Sequence, residues 1–335
     1  MRIGLTYDLR DDYRALGYSE ADVAEFDTRD TIDALDAALQ RLGHVTDRIG
    51  HIRQLAERLV AGDRWDLVFN IAEGLRGRSR EAQVPALLEA YDLPYVFSDP
   101  LTSAATLDKA VAKSLVRDAG IPTAPWAVID DARRTKVQLP FPVFLKPLAE
   151  GTGKGCERAS KVANADELKA TARDLLTRFG QPVLAESYLC GREFTVGIVG
   201  NGSGARVIGV LEITLPESAD ADIYSYVNKE ECETRVHYAL ADDAEALRAG
   251  ELALAAYRVL GCRDAARLDF RSDSFGEPYF LEANVLAGIH PSHSDLPILA
   301  SLAGIGYDGL ISEIVTAAVH RLGPLGAPRP AKQAA

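Results

Sequence analysis

Hydrophobic and polar positions change period several times along the chain. Residues 2–8 alternate as a strand does. After Thr28, the apolar residues Ile32, Leu35, Leu39 and Leu42 recur at helical spacing, and Gly43 stops the run. Residues 45–49 read as a strand, Leu55, Leu59 and Val60 suit a second helix, and 65–70 form a buried strand opening into Asn-Ile-Ala-Glu-Gly. A helix over 84–91 and a short strand over 93–97 complete a βαβ alternation, which predicts a small parallel sheet with helices on its faces. Ligands of such sheets lie beyond the carboxyl ends of the strands, here Tyr7-Asp8 and residues 70–74.

The pattern then changes. One helix is predicted over 103–119, ended by Gly120 with Pro122 beyond. Residues 142–147 form a strand, and 150–155 a glycine-rich loop without the Walker A pattern. Asn164 caps a helix running to Phe179. Strands follow over 183–189, 193–199 and 207–213, the last two in an antiparallel sheet. The polar stretch 216–231 reads as a mobile lid. A helix over 244–260 precedes two apolar strands joined by the turn Ser272-Asp-Ser-Phe-Gly276. The segment after Leu322 reads as a disordered tail.

Composition narrows the class. A chain of 335 residues with 47% hydrophobic content has material for two or three lobes. Its net charge of −12, with acids and bases interspersed, argues against a nucleic-acid partner, and no apolar run reaches membrane-span length. The opening strand does not resemble a signal peptide, and a cytoplasmic location is expected. Cys156, Cys190, Cys232 and Cys262 are scattered, which favours free thiols over zinc or disulfides.

Chemistry concentrates in the final hairpin. Arg267 and Asp269 are two apart and share one face of its first strand; Glu282 and Asn284 do the same on its second. Two carboxylates and an amide oxygen are the hard ligands that magnesium takes when phosphates complete its shell, and an adjacent arginine holds phosphate. The rival is a hairpin with a solvated polar face; the flanking Leu268, Phe270, Phe280 and Leu281 point instead to a covered sheet. Lys146 follows the apolar run 143–145, where a solvated lysine is hard to place and an anionic partner is required.

The ordered set Asp108-Lys109, Lys146-Pro147, Glu150-Gly-Thr152, Glu186, Glu193-Phe-Thr-Val196, Arg267-Leu-Asp269 and Glu282-Ala-Asn284 with Ser294 resembles the ATP-grasp superfamily, and within it the D-alanine–D-alanine ligases, over about residues 65–322. The resemblance implies a mixed α/β chain of α+β lobes: a three-lobed ATP-grasp fold with an N-terminal parallel-sheet, Rossmann-like (pre-ATP-grasp) domain. It places that domain at 1–99, a central subdomain at 100–185, a C-terminal subdomain at 186–322 and a tail at 323–335.

It also implies roles. Lys109 and Lys146 would neutralise nucleotide phosphates, with Thr152 at the family's loop serine and Lys229 helping to cover them. Glu186 would serve the adenine edge, the backbone at Leu189 the base, and Glu193 the ribose. Asp269, Glu282 and Asn284 would hold one or two Mg2+ ions (Mn2+ as a substitute), with Glu282 bridging. Arg267 and the Gly288 backbone N–H would stabilise the oxyanion, and Ser294 would bind the carboxylate of the amine-side substrate; a helix N-cap at Ser294 is the rival reading, and the two are compatible. The implied activity is ATP-dependent ligation of two amino acids through an acyl phosphate, in a family where homodimers are usual.

The first lobe departs from the family pattern. Its glutamate has no clear counterpart in residues 7–12, and Glu73 begins a run through Arg78 and Arg80 where the family has a His-Gly motif. Either Glu73 receives the D-alanine ammonium, or the site takes another amino acid or small carboxylate. His290 and His293 flank the Ser294 region as turn residues or substrate contacts. A regulatory ATP-binding module without turnover and an ATP-grasp kinase are the rival functions.

Overall fold

The computed structural model describes residues 1–135, 137–214 and 236–323. The expected lid at 216–231 with Lys229, Cys232, and the expected tail beyond 323 lie outside the described residues.

The N-terminal lobe is a parallel sheet of β1 (Arg2–Thr6), β2 (Val45–Gly50) and β3 (Leu67–Asn70) in the order β2-β1-β3. Around it lie α1 (Arg10–Ala15), α2 (Glu20–Val23), α3 (Arg29–Arg41), α4 (Ile52–Val60) and α5 (Gln83–Ala90). Ile32, Leu35 and Leu39 are buried as their spacing predicts, and Gly43 takes the positive φ that stops the run. Val60 is instead exposed, and Leu55 and Leu59, with partly buried Ile52, hold α4 to the sheet. The strand expected at 93–97 reduces to one bridge, Tyr95 beside Val68. Pro94 has no N–H to donate, and Phe97 at φ 76° turns the chain away.

The single helix expected over 103–119 is two: α6 (Pro100–Leu107) and α7 (Lys109–Asp118). Asp108 breaks it. Its backbone is extended, and its carboxylate accepts from the N–H groups of Ala110 and Val111 at 3.1 Å each. Lys109 is therefore the first residue of α7.

The central sheet combines β4 (Trp126–Ile129), β5 (Val143–Pro147), β6 (Lys161–Val162) and β7 (Val183–Ser187) in the order β4-β7-β5-β6. α8 (Ala165–Phe179), capped by Asn164 and ended by left-handed Gly180, closes a core of Val143, Leu145, Leu168, Leu175 and Val183. The last sheet is antiparallel: β8 (Glu193–Val199), β9 (Arg206–Thr214), β10 (His237–Leu240), β11 (Ala265–Ser272) and β12 (Pro278–Asn284), in the order β10-β9-β8-β11-β12. α9 (Ala244–Val259) packs with Phe194, Val196, Leu268 and Phe270. α10 (Asp295–Leu302) begins where Ser294 was read as a helix N-cap, and α11 (Gly306–Leu322) was not anticipated from the sequence pattern. Their Leu296, Leu299, Leu310 and Ile314 share one core with Ile3, Leu5, Ile32 and Leu35 of the N-terminal lobe. No single helix among the described residues is long and apolar enough to cross a membrane.

Candidate active site

Alternation along β11 buries Leu268 and Phe270 against the α9 side, which leaves Arg267 and Asp269 on the other face. Register brings Asp269 opposite Glu282 and Arg267 opposite Asn284. A bulge after Asp269 sets Leu281 and Glu282 together on the cleft wall. Asp269 accepts from Arg267 Nε (3.1 Å) and Nη2 (2.9 Å), Thr195 Oγ1 (2.8 Å) and Asn284 Nδ2 (3.1 Å). Arg267 also donates to Asp295 Oδ2 at 2.9 Å. Burial alone would lower the Arg267 pKa, but Asp269, Asp295 and Glu282 raise it, so its charge is fixed.

The lysines converge on this hairpin. Lys109 Nζ donates to the Glu150 carbonyl at 2.5 Å and lies 3.3 Å from Glu282 Oε2. Lys146 Nζ is 3.0 Å from Glu186 Oε1, and Lys113 Nζ is 2.8 Å from Glu186 Oε2. Burial would raise the Glu186 pKa; Lys113 and Lys146 outweigh it and hold the carboxyl at about 2. Glu186 thus meets both lysines, at the opposite end of β7 from Val183. Tyr188 stacks against Lys161, 4.0 Å from its ring centre, and Glu193 lies 3.4 Å from Arg271. Leu189, Glu193, Glu186, Lys146 and Lys109 line one cleft together with Asp269 and Glu282.

A second pocket adjoins it, sharing Lys109, Glu150 and Glu282 as a common wall. Arg267, Asn284, Gly288, Ser294, Glu73 and Thr152 line this second space. Gly288 packs so closely on Ser294 that a Cβ there would stand 2.7 Å from Ser294 Oγ. Ser294 is the N-cap residue of α10, yet its side chain caps nothing; Oγ accepts from the His290 N–H at 3.0 Å. The hydroxyl hydrogen is left for another acceptor. Thr152 sits in this pocket at φ 50°, its Oγ1 buried without a hydrogen-bond partner among the described residues. His290 and His293 meet edge to face at 6.0 Å, and no group of metal-binding residues including a third such ligand occurs among the described residues.

The first lobe does supply a glutamate, which the sequence reading missed. Glu25 accepts from the Gly151 N–H at 2.8 Å and from Arg80 Nη2 at 2.5 Å, with Lys154 Nζ at 3.6 Å. Burial opposes its ionisation, but Arg80, Lys154 and the Gly151 amide hold it at about 2. Arg80 is buried and Arg78, exposed, pairs with Asp108, so neither arginine is left over for substrate. Glu73 and Glu81 are different: neither has a hydrogen bond or ion pair among the described residues. Burial, Glu81 and Glu25 raise Glu73 well above the usual range, and burial raises Glu81 to about 7. Lys113 and Asp295 were also missed. Lys113 is four residues from Lys109, hence on the same helix face, and Asp295 opens a helix right after Ser294.

Two clefts meeting on an acidic hairpin, between a central sheet and a C-terminal sheet with a parallel-sheet lobe in front, define the ATP-grasp fold. A family model described as "D-ala D-ala ligase C-terminus" matches residues 115–316. The chain is 34% identical over 275 residues to a D-alanine–D-alanine ligase of Bordetella petrii, covering 81% of this chain and 80% of that one. It is 32% identical over 304 residues to the protein y4sG of Sinorhizobium fredii, covering 86% and 87%. The structure superposes on the ATP complex of Bacillus anthracis D-alanine–D-alanine ligase with a TM-score of 0.74 at 23% identity, covering 96% and 98%. The chain belongs to the D-alanine–D-alanine ligase family.

Proposed function

We propose that this chain is an ATP- and Mg2+-dependent ligase that joins two amino acids through an acyl phosphate, working in the cytoplasm. The observation that carries this reading is the pairing of Asp269 with Glu282, and of Arg267 with Asn284, on the wall between the two clefts. The donor set fits magnesium: two carboxylates and a carboxamide, all offering oxygen, on one face of adjacent strands. Asp269, Glu282 and Asn284 would hold the ion, which when bound neutralises phosphate charge and orients the nucleotide.

ATP would lie in the first cleft, with Glu193 and the Leu189 backbone at the nucleoside and Lys146 and Lys109 at the phosphates. Lys229 is assigned the same covering task by resemblance. The acid enters the second pocket, and its carboxylate oxygen attacks the γ-phosphorus with ADP leaving. Arg267, fixed by Asp269 and Asp295, faces the charge that builds on the acyl phosphate. The second amine then attacks the acyl carbon, the oxyanion meets Arg267 and the Gly288 N–H, and phosphate departs. Ser294, with its hydroxyl hydrogen uncommitted to His290, would donate to the carboxylate of the amine-side substrate.

The first acid is the open question, and one observation favours a substrate other than D-alanine. Glu73 and Glu81 face the pocket with no ion pair among the described residues, while Glu25 already has Arg80. Glu73 would receive an α-ammonium, and Glu81 beside it suits a second amino group, as in a diamino acid. A panel of D- and L-amino acids, scored by ADP release and product mass, tests both readings. Product from D-alanine alone sustains the first; product requiring a diamino acid sustains the second. Glu282→Gln is expected to lower turnover by at least about a thousandfold with unchanged circular dichroism; full ligation by that variant would refute the metal assignment.

A further inference from the structure

Lys113 has no task in the reaction as proposed, and its setting is costly. It is 0% exposed, lines neither cleft, and donates to Thr123 Oγ1 at 2.9 Å and the Phe280 carbonyl at 3.1 Å besides meeting Glu186. An ammonium taken out of water costs several kcal/mol unless its partners are close, and a methionine would fill the same space without that cost.

The surrounding geometry supplies a reason. Glu186 and Phe144 are opposite each other across β5 and β7, so Lys146, two residues on, is the diagonal neighbour of Glu186 on the same face. Each oxygen of Glu186 takes one lysine: Oε1 takes Lys146 at 3.0 Å and Oε2 takes Lys113 at 2.8 Å. The three groups form a row, Lys113, Glu186, Lys146, running from the buried side of α7 to the nucleotide cleft. Two cations and one anion leave a net positive charge. Lys113 cannot reach a ligand in the cleft, so that charge is delivered through Lys146.

We infer that Lys113 is a positioning residue for nucleotide binding: by taking one oxygen of Glu186 it keeps the Lys146 ammonium available to the nucleotide phosphates. This rests on the nucleotide reading of the first cleft. Without Lys113, both oxygens of Glu186 fall to Lys146, the row becomes neutral, and phosphate must compete with a buried carboxylate for the one remaining ammonium. The rule at work is charge balance, so a second change that removes the carboxylate's charge restores what the first one took away.

The test is calorimetric titration of the full chain with MgATP, alongside steady-state kinetics. Lys113→Met is expected to weaken ATP binding by at least about tenfold, with kcat at saturating ATP within about twofold. Lys113→Arg, which keeps the charge, is expected to stay near wild type. The decisive comparison is Glu186→Gln against Glu186→Gln/Lys113→Met. With a neutral carboxamide at 186, loss of Lys113 is expected to cost less than about twofold in ATP affinity, because nothing then competes for Lys146. A lysine that merely props up the fold gives the same loss in both backgrounds, and that result overturns the inference. The Gln-background pair suffices if Lys113→Met alone is insoluble. Wild-type protein that fails to bind ATP sinks the nucleotide reading and this inference together; wild-type binding with Lys113→Met unchanged sinks this inference alone.

Discussion

Glu81 stands on the wall of the second pocket with its carboxyl pushed up to about 7 by burial, an effect that Arg80 offsets only in part. An unfolded chain would titrate this group near its ordinary 4.5. The folded state therefore binds the proton more tightly, and the stability this confers is full below about 4.5 and lost as pH rises through about 7. Glu81→Gln should make the protein more stable at pH ~8 than wild type, by on the order of 1 kcal/mol, with the gap closing toward pH ~4.5. Urea denaturation across that range reads it out, and a gap that does not vary with pH would refute it. Glu186 and Glu25 lie on the other side of the ledger: both are held at about 2, so their contribution is present above the usual carboxylate range and disappears only in strong acid. A cationic substrate bound at Glu73 and Glu81 would reverse the penalty on them, which links the proposed preference for a second amino group to a measurable rise in stability on binding.

Elements were legible where a local signal fixed them and illegible where a distant side chain did. The β11–β12 hairpin and its polar face follow from alternation within 18 residues of sequence, and the structure keeps Arg267, Asp269, Glu282 and Asn284 together; the bulge after Asp269 that sets their register was not legible. Lys146 was readable because an apolar run carries it into the core. The break at Asp108 was not: the apolar periodicity continues through it, and only the carboxylate's bonds to Ala110 and Val111 reveal a cap. That cap is consequential because it starts α7 at Lys109 and presents Lys109 and Lys113 on one face. Asp108→Ala should cost about 1–2 kcal/mol and raise the KM for ATP more than that for either amino acid. Thermal melts and kinetics check it, and an unchanged KM for ATP would separate the cap from the lysines. Glu25 was missed for the same reason as the cap: its partner Gly151 lies 126 residues away, and nothing in the surrounding Ala-Glu-Phe-Asp marks it.

At the scale of the molecule, Glu25 and Arg80 tie the N-terminal lobe to the glycine-rich loop. Arg80 donates to the Ala149 carbonyl at 2.7 Å as well as to Glu25, and Glu25 holds the Gly151 N–H. Arg80→Met leaves a buried carboxylate short of its main partner and is expected to cost about 3–5 kcal/mol. Arg80→Met/Glu25→Gln should recover a good part of that loss in urea unfolding; a double variant as unstable as the single would assign the cost to packing instead.

The hydrophobic core shared by α10, α11 and the first sheet has one more implication. It welds the first and last lobes into a single block, while the central sheet under α8 keeps a core of its own. A nucleotide in the first cleft would therefore lie between a block built from two lobes and a central lobe with its own core, which the chain leaves for the last sheet over residues 188–192 and which Glu25 and Arg80 also hold through Ala149 and Gly151.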